Sequence, residues 1–228
     1  MKVRIFIFLL FIAISCYANP FDIDSDQLNE KELLALKGDA SSADDLSFFY
    51  TFSEDTANTE NNKKINYWAS IAAENDSTGR CQYNYYVLIT SEPFKLDSFK
   101  RGLYWLYKSS EIGYKNAKDD VFFKKDSSDW FEFSNDILFK KQIENKKELS
   151  DYEEAAICGS GNAALNLYKY YLWNNDKSYN YWLRIGAQNG NKECMRKYAE
   201  LLKKSSDKYD NIRAEFWEKK ATSYLPHI

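Results

Sequence analysis

The chain is poor in the residues that make tight turns, with 8 glycines and 3 prolines among 228 residues. That argues against an all-β sandwich and against a Gly-rich disordered chain. Histidine is nearly absent: the sole His is His227, next to last. A His-dependent catalytic triad or a multi-His metal site is therefore not expected. Four cysteines are present, with no Cys-x-x-Cys. Only one long apolar run occurs, Ile5 to Ile14, and it falls well short of the roughly 20 residues that span a bilayer.

What the chain has in quantity is aromatic side chains: 18 Tyr, 15 Phe and 6 Trp. Disordered chains are depleted in these, so this one has the means to bury a core. The first 18 residues read as a secretory signal peptide. Lys2 and Arg4 precede the apolar run, and small residues follow it. Cys16-Tyr17-Ala18 would be cut to give a mature start at Asn19. Ala13-Ile14-Ser15-Cys16 resembles a bacterial lipobox and would leave lipidated Cys16 first. The usual Leu is missing three residues before the Cys, which favours simple cleavage. The expected location is the periplasm or the exterior, or a membrane-anchored lipoprotein if Cys16 is lipidated.

Removing residues 1–18 takes away two basic residues and no acidic ones, so the net charge goes from −3 to −5. The lysine pairs at 140–141, 146–147 and 203–204 are interleaved with acids and read as solvated helix faces. No electrostatic footprint for nucleic acid is present. Cys81, Cys158 and Cys194 remain in the mature chain and read as small buried apolar residues. A Cys158–Cys194 bridge is the alternative reading.

Four tryptophans sit in similar contexts: Trp68, Trp105, Trp182 and Trp217, at spacings of 37, 77 and 35. The 77 is about twice the others, as if one copy lacked its Trp. Gly38, Gly113, Gly159 and Gly190 open equivalent segments. A small residue follows each by four (Ser42, Ala117, Ala163, Cys194) and a larger one by eight (Leu46, Val121, Leu167, Tyr198). Asp76 fills the Gly place in the second copy, with Cys81 and Tyr85 one step late. Positions four apart share a helix face, so each copy reads as a helix hairpin. The small residue lets the next helix approach, the Trp fills the space between hairpins, and Gly ends the second helix. Units of this length stack into solenoids.

The best copy runs from Ala156-Ile157-Cys158-Gly159 through Ala163, Leu167, Tyr170-Tyr171 and Trp182-Leu183 to Ala187 and Gly190. This pattern resembles the Sel1-like repeat, a relative of the tetratricopeptide repeat. The expected fold is an all-α solenoid of four to five such hairpins over residues 33–228. A 19–32 extension precedes it, with a short capping helix at 31–37, and an insertion interrupts it at about 125–147. Expected helix pairs are 40–53 with 62–75, 78–91 with 95–112, 114–124 with 148–158, 161–173 with 177–188, and 191–204 with 210–223.

Catalytic signals are weak. Asp44-Asp45, Asp119-Asp120 and Glu153-Glu154 are helix neighbours that diverge by about 100° and read as solvated faces. Asp22, Asp24 and Asp26 lack the Gly and distal Glu of a calcium loop. Gly159-Ser160-Gly161 is not followed by the Lys-Ser/Thr of a phosphate loop. No catalytic residue, metal or cofactor is expected. Candidate partner-binding residues are Trp130, Phe131 and Phe133 of the insertion, together with Tyr170, Trp173 and Tyr179 of the most aromatic stretch, since Tyr and Trp anchor protein interfaces. Sel1-like proteins are generally adaptors, and a small secreted one looks like the periplasmic immunity proteins that cover a delivered toxin. The resemblance thus implies a protein partner, a toxin effector, inhibited sterically. The alternatives are an envelope scaffold and, on weaker grounds, a secreted β-lactamase-like enzyme, whose relatives carry the regularly paired cysteines missing here.

Overall fold

The computed structural model describes residues 23–53, 59–91, 95–125 and 143–223. Among them every regular element is a helix: α1 Ser25–Leu36, α2 Ala40–Phe52, α3 Thr59–Asn75, α4 Arg80–Ser91, α5 Leu96–Ile112, α6 Lys115–Lys125, α7 Lys146–Ile157, α8 Gly161–Trp173, α9 Tyr179–Gln188, α10 Lys192–Leu202 and α11 Lys208–Ser223. The protein is an α-solenoid of helix hairpins. The main packing partners are α2 with α3, α4 with α5, α8 with α9, and α10 with α11. Trp68, Trp105, Trp182 and Trp217 are all buried, each on the second helix of its hairpin.

One joint recurs between hairpins. At the end of α7 the Gly159 N–H donates to the Ala156 carbonyl and the Ser160 N–H to that of Ala155. These are the paired bonds that close a helix through a left-handed residue, and Gly159 has φ +114°. A side chain there would be strained, and its Cβ would lie 2.7 Å from the Tyr104 ring. The next residue then starts the following helix: Ser160 Oγ accepts from the Ala163 N–H at 3.0 Å. Asp39 does the same for Ser42, and Asn191 for Cys194. The small residue four after Gly38, Gly159 and Gly190 is thus the third residue of its helix, held by the cap.

The hairpins are grouped at a second level. Leu36, Gly38, Leu46 and Tyr50 return 121 residues later as Ile157, Gly159, Leu167 and Tyr171. Trp68 and Glu74 return after 114 as Trp182 and Gln188. Cys81 and Tyr85 return after 113 as Cys194 and Tyr198. Arg101, Trp105 and Lys108 return after 112 as Arg213, Trp217 and Lys220. The chain therefore holds two five-helix units, α1–α5 and α7–α11, with α6 between them.

The units meet twice, through the same contact. The α5 guanidinium of Arg101 donates to the Ile157 carbonyl at the end of α7, and Tyr104 lies against Gly159. The α11 guanidinium of Arg213 donates to the Leu36 carbonyl at the end of α1, and Phe216 lies against Gly38. Both carbonyl contacts are 3.3 Å. Each arginine also covers its own aromatic pair: Arg101 over Tyr104 and Trp105, Arg213 over Phe216 and Trp217. Two units joined head to tail by the same contact at both ends make a closed ring. Tyr209 and Ile212 of α11 accordingly pack on the N-terminal core of Leu36, Leu46 and Trp68.

The solenoid closes on itself, because its last helix docks on its first. Three expectations from the sequence change. The long 105-to-182 spacing does not mark a hairpin without its Trp: it holds α6 and then α7, and α7 is the counterpart of α1, which has no Trp. Accordingly α6 packs on α5, whereas α7 packs on α8 and touches α5 and α9. Asp76 is not the left-handed residue of the second copy. Gly79 is, at φ +85°, while the Asp76 carboxylate accepts from the Thr78 and Cys81 N–H groups. The expected capping helix is longer than 31–37 and starts at Ser25, because Asp24 caps it and Gln27 returns the bond.

Candidate functional site

The sequence-based partner residues divide three ways. Trp130, Phe131 and Phe133 lie outside the described residues, as do Cys16 and the leader. Tyr170 and Tyr179 are half-buried: Tyr170 sets its ring edge against Tyr171, and Tyr179 against Tyr168. Trp173, at the end of α8, is 91% exposed, beside exposed Leu172. Its counterpart in the first unit, Phe52 at the end of α2, is 57% exposed. Both units thus display a large aromatic at the same place. Cys81, Cys158 and Cys194 are buried free thiols.

A polar cluster occupies the inside of the ring. Arg213 Nη2 donates to Glu74 Oε2 at 2.6 Å, with both side chains buried. Lys220 Nζ donates to the Glu74 carbonyl at 2.8 Å. Burial lowers the Lys220 pKa, although Glu74 opposes the shift. In the other unit, among the described residues, Arg101 donates only to neutral acceptors: Gln188 Oε1 at 2.9 Å, Asn189 Oδ1 at 2.7 Å and the Ile157 carbonyl. Gln188 Nε2 donates to Glu74 Oε1 at 2.7 Å and links the two halves. Glu74 and Gln188 are counterparts, so the same position is charged in one unit and neutral in the other.

The second asymmetry is Arg184 on α9, whose counterpart on α3 is Ser70. Both line one cleft of about 740 Å³, bounded by Tyr67 and Asn62 of α3, Tyr85 of α4 and Lys95 ahead of α5. Lys63 and Lys64 extend its cationic lining, and among the described residues Glu60 is its single carboxylate. Burial works against the charge on Arg184. The pull of Tyr198, Tyr85, Glu74 and Tyr181 outweighs it, and the pKa lies above the ordinary arginine value. Burial likewise pushes the Tyr67 and Tyr85 hydroxyls up, so both stay neutral donors. No carboxylate or carbonyl of the described residues hydrogen-bonds to the Arg184 guanidinium. A smaller cleft of about 250 Å³ is lined by counterpart pairs, Ala73 with Ala187, Glu74 with Gln188, Trp105 with Trp217, and Lys108 with Lys220.

In a chain of net charge −3, the inner face thus gathers Arg101, Arg184, Arg213 and Lys220 around the carboxylate of Glu74. Sequence reading missed this cluster. The signal was present as Arg-x-x-Tyr-Trp at 101–105 and Arg-x-x-Phe-Trp at 213–217, with Glu74 and Gln188 each six residues after a Trp. Among the described residues no group of three or more His, Cys, Asp or Glu could hold a metal ion, and no helix is long and apolar enough to cross a membrane. Compared with known proteins, the chain matches no family model, no curated protein and no solved structure.

Proposed function

We propose that this protein binds another protein outside the cytoplasm and, specifically, that it is an immunity protein that inhibits a toxin effector by covering it. The observation that carries the reading is the paired display of Phe52 and Trp173 at matching places of the two helical units. Large exposed aromatics on a fixed scaffold are what protein interfaces use as anchors. The leader-like first 18 residues support an encounter in the periplasm or beyond. Kinship with Sel1-like adaptors belongs to the same proposal and rests on the hairpin pattern at 156–190.

The test is capture by mature protein (residues 19–228) from periplasmic extract and from the products of adjacent genes. One stoichiometric partner whose toxicity this protein suppresses is the expected result. Trp173→Ala should weaken that capture about tenfold or more with helix content unchanged, the size expected of an interface anchor. Capture of several envelope proteins, none of them toxic, would replace immunity with a scaffold role.

A further inference from the structure

We propose that the cleft between α3, α4 and α9 binds the carboxylates of an acidic peptide segment. The inference deepens the partner-binding reading and rests on it: the segment is the part of the partner that enters the ring. Three observations converge. The cleft volume, about 740 Å³, lies inside the range of about 300–1,000 Å³ typical of ligand sites. Among the described residues its lining carries Lys63, Lys64, Lys95 and Arg184 against Glu60 alone. Lys63 is already shared with Glu60 at 3.1 Å, but both side chains are well exposed, so that pair is weak.

Arg184 is the decisive residue. Its guanidinium stands in the cleft without a carboxylate partner among the described residues, where the matching position of the first unit holds only Ser70. A half-buried guanidinium that makes no hydrogen bond to a carboxylate gains a direct charge-assisted pairing when one enters the cleft. The nearby carboxylate, Glu74, is already taken by Arg213 and Gln188. Guanidinium is also the cation best shaped for a carboxylate, through two parallel N–H bonds.

The arrangement favours a segment over a single small anion. The four cations sit on three separate elements, from exposed Lys63 and Lys95 at the rim to Arg184 within. Spaced cations match spaced carboxylates. The Asn62 and Asn66 amides and the Tyr67 and Tyr85 hydroxyls line the same cleft and offer hydrogen bonds to a peptide backbone.

The probe is a fluorescein-labelled peptide of alternating Glu and Ser, titrated with the intact mature protein and followed by anisotropy. The Gln–Ser version, free acetate and inorganic phosphate are the other arms. The Glu peptide should bind at least tenfold tighter than the Gln peptide, and Arg184→Met should remove most of that preference with the thermal midpoint recorded alongside. Should Arg184→Met fail to fold, Lys63→Gln with Lys95→Gln carries the test, with a loss of about threefold or more. Equal binding of the two peptides overturns the proposal, and so does a preference that survives the substitutions. Full competition by millimolar acetate or phosphate, with no preference for the peptide, overturns the peptide assignment in favour of a small anion. The titration needs no natural partner, so a flat result here leaves the partner reading to stand or fall on capture.

Discussion

In the first five-helix unit, α3 carries Glu74 to the guanidinium of Arg213; in the second, α9 carries Gln188 to that of Arg101. Around these two positions almost everything matches. The arginine lies over an aromatic pair in both, donates to the last-turn carbonyl of the opposing helix in both, and presses an aromatic ring on a left-handed glycine in both. The buried indole N–H groups of Trp105 and Trp217 both lack an acceptor among the described residues. The joints need the same residues because they perform the same packing. Inside the ring the constraint is different: two carboxylates at 74 and 188 would repel one another within hydrogen-bond reach. One position is therefore neutral, and Arg101 is left with amide and carbonyl acceptors. What repeats builds the fold, and what fails to repeat builds the site.

The comparison can be broken most strongly at its anchors. Trp105→Ala and Trp217→Ala should each destabilise by about 3–5 kcal/mol, the usual cost of emptying a buried aromatic site. The two losses, measured by urea denaturation, should agree to within about 1 kcal/mol if the environments are truly equivalent. A much smaller loss at Trp217 would mean that the last hairpin is not held by the ring.

The arginines should separate where the tryptophans agree. Arg213→Met strands the buried carboxylate of Glu74 and should cost about 3–5 kcal/mol. Arg101→Met strands only neutral acceptors and should cost about 1–3 kcal/mol. Equal losses in the same denaturation experiment would contradict the asymmetry described above.

A charge transfer sharpens the point. Glu74→Gln alone should cost about 1.5–3 kcal/mol through the lost charged hydrogen bonds. Adding Gln188→Glu hands the carboxylate to Arg101 and should recover at least half of that loss. No recovery in the double variant would show that the inner faces of the two units are not interchangeable.

The smallest effect concerns the thiols. Cys81 and Cys194, at matching positions, are both pushed up to about 12, mainly by burial. Cys158 is pushed to about 11, again mainly by burial. Their ordinary value is 9.0, so above it the unfolded chain releases protons that the fold retains. Stability present below pH 9 is therefore lost as pH rises toward 12. Urea midpoints should fall by an amount worth about 1 kcal/mol or more between about pH 8 and about pH 10. Replacing Cys81 and Cys194 by Ala should flatten that slope; an unchanged slope would assign it to other groups.

Hairpin architecture was legible in the sequence because local chemistry carries it. Gly159 ends a helix, Ser160 begins the next, and Trp182 fills the gap, all within 24 residues. Ring closure was not legible in the same way. It depends on Arg213 reaching Leu36, 177 residues distant, and no local preference marks such a contact. The Trp spacing holds the larger period, but α7 has no Trp, so the spacing reads as a hairpin with its Trp missing. The cleft was hidden because Arg184 and Lys63 look like ordinary helix-surface cations until α3 and α9 are brought face to face. In the sequence Trp173 stands out only as part of an aromatic-rich stretch; its exposure follows from its place on the last turn of α8, beyond Leu167, the last fully buried residue of that helix.

The most direct test of the closed ring is a double-mutant cycle between Arg213→Met on α11 and Glu74→Gln on α3, read by urea denaturation. The two residues lie 139 residues apart, one in each unit, and closure brings them to 2.6 Å. A coupling energy of about 1.5–3 kcal/mol is the predicted result for a buried, charged hydrogen-bonded pair. Additive losses, with a coupling near zero, would place α11 away from α3 and contradict the ring.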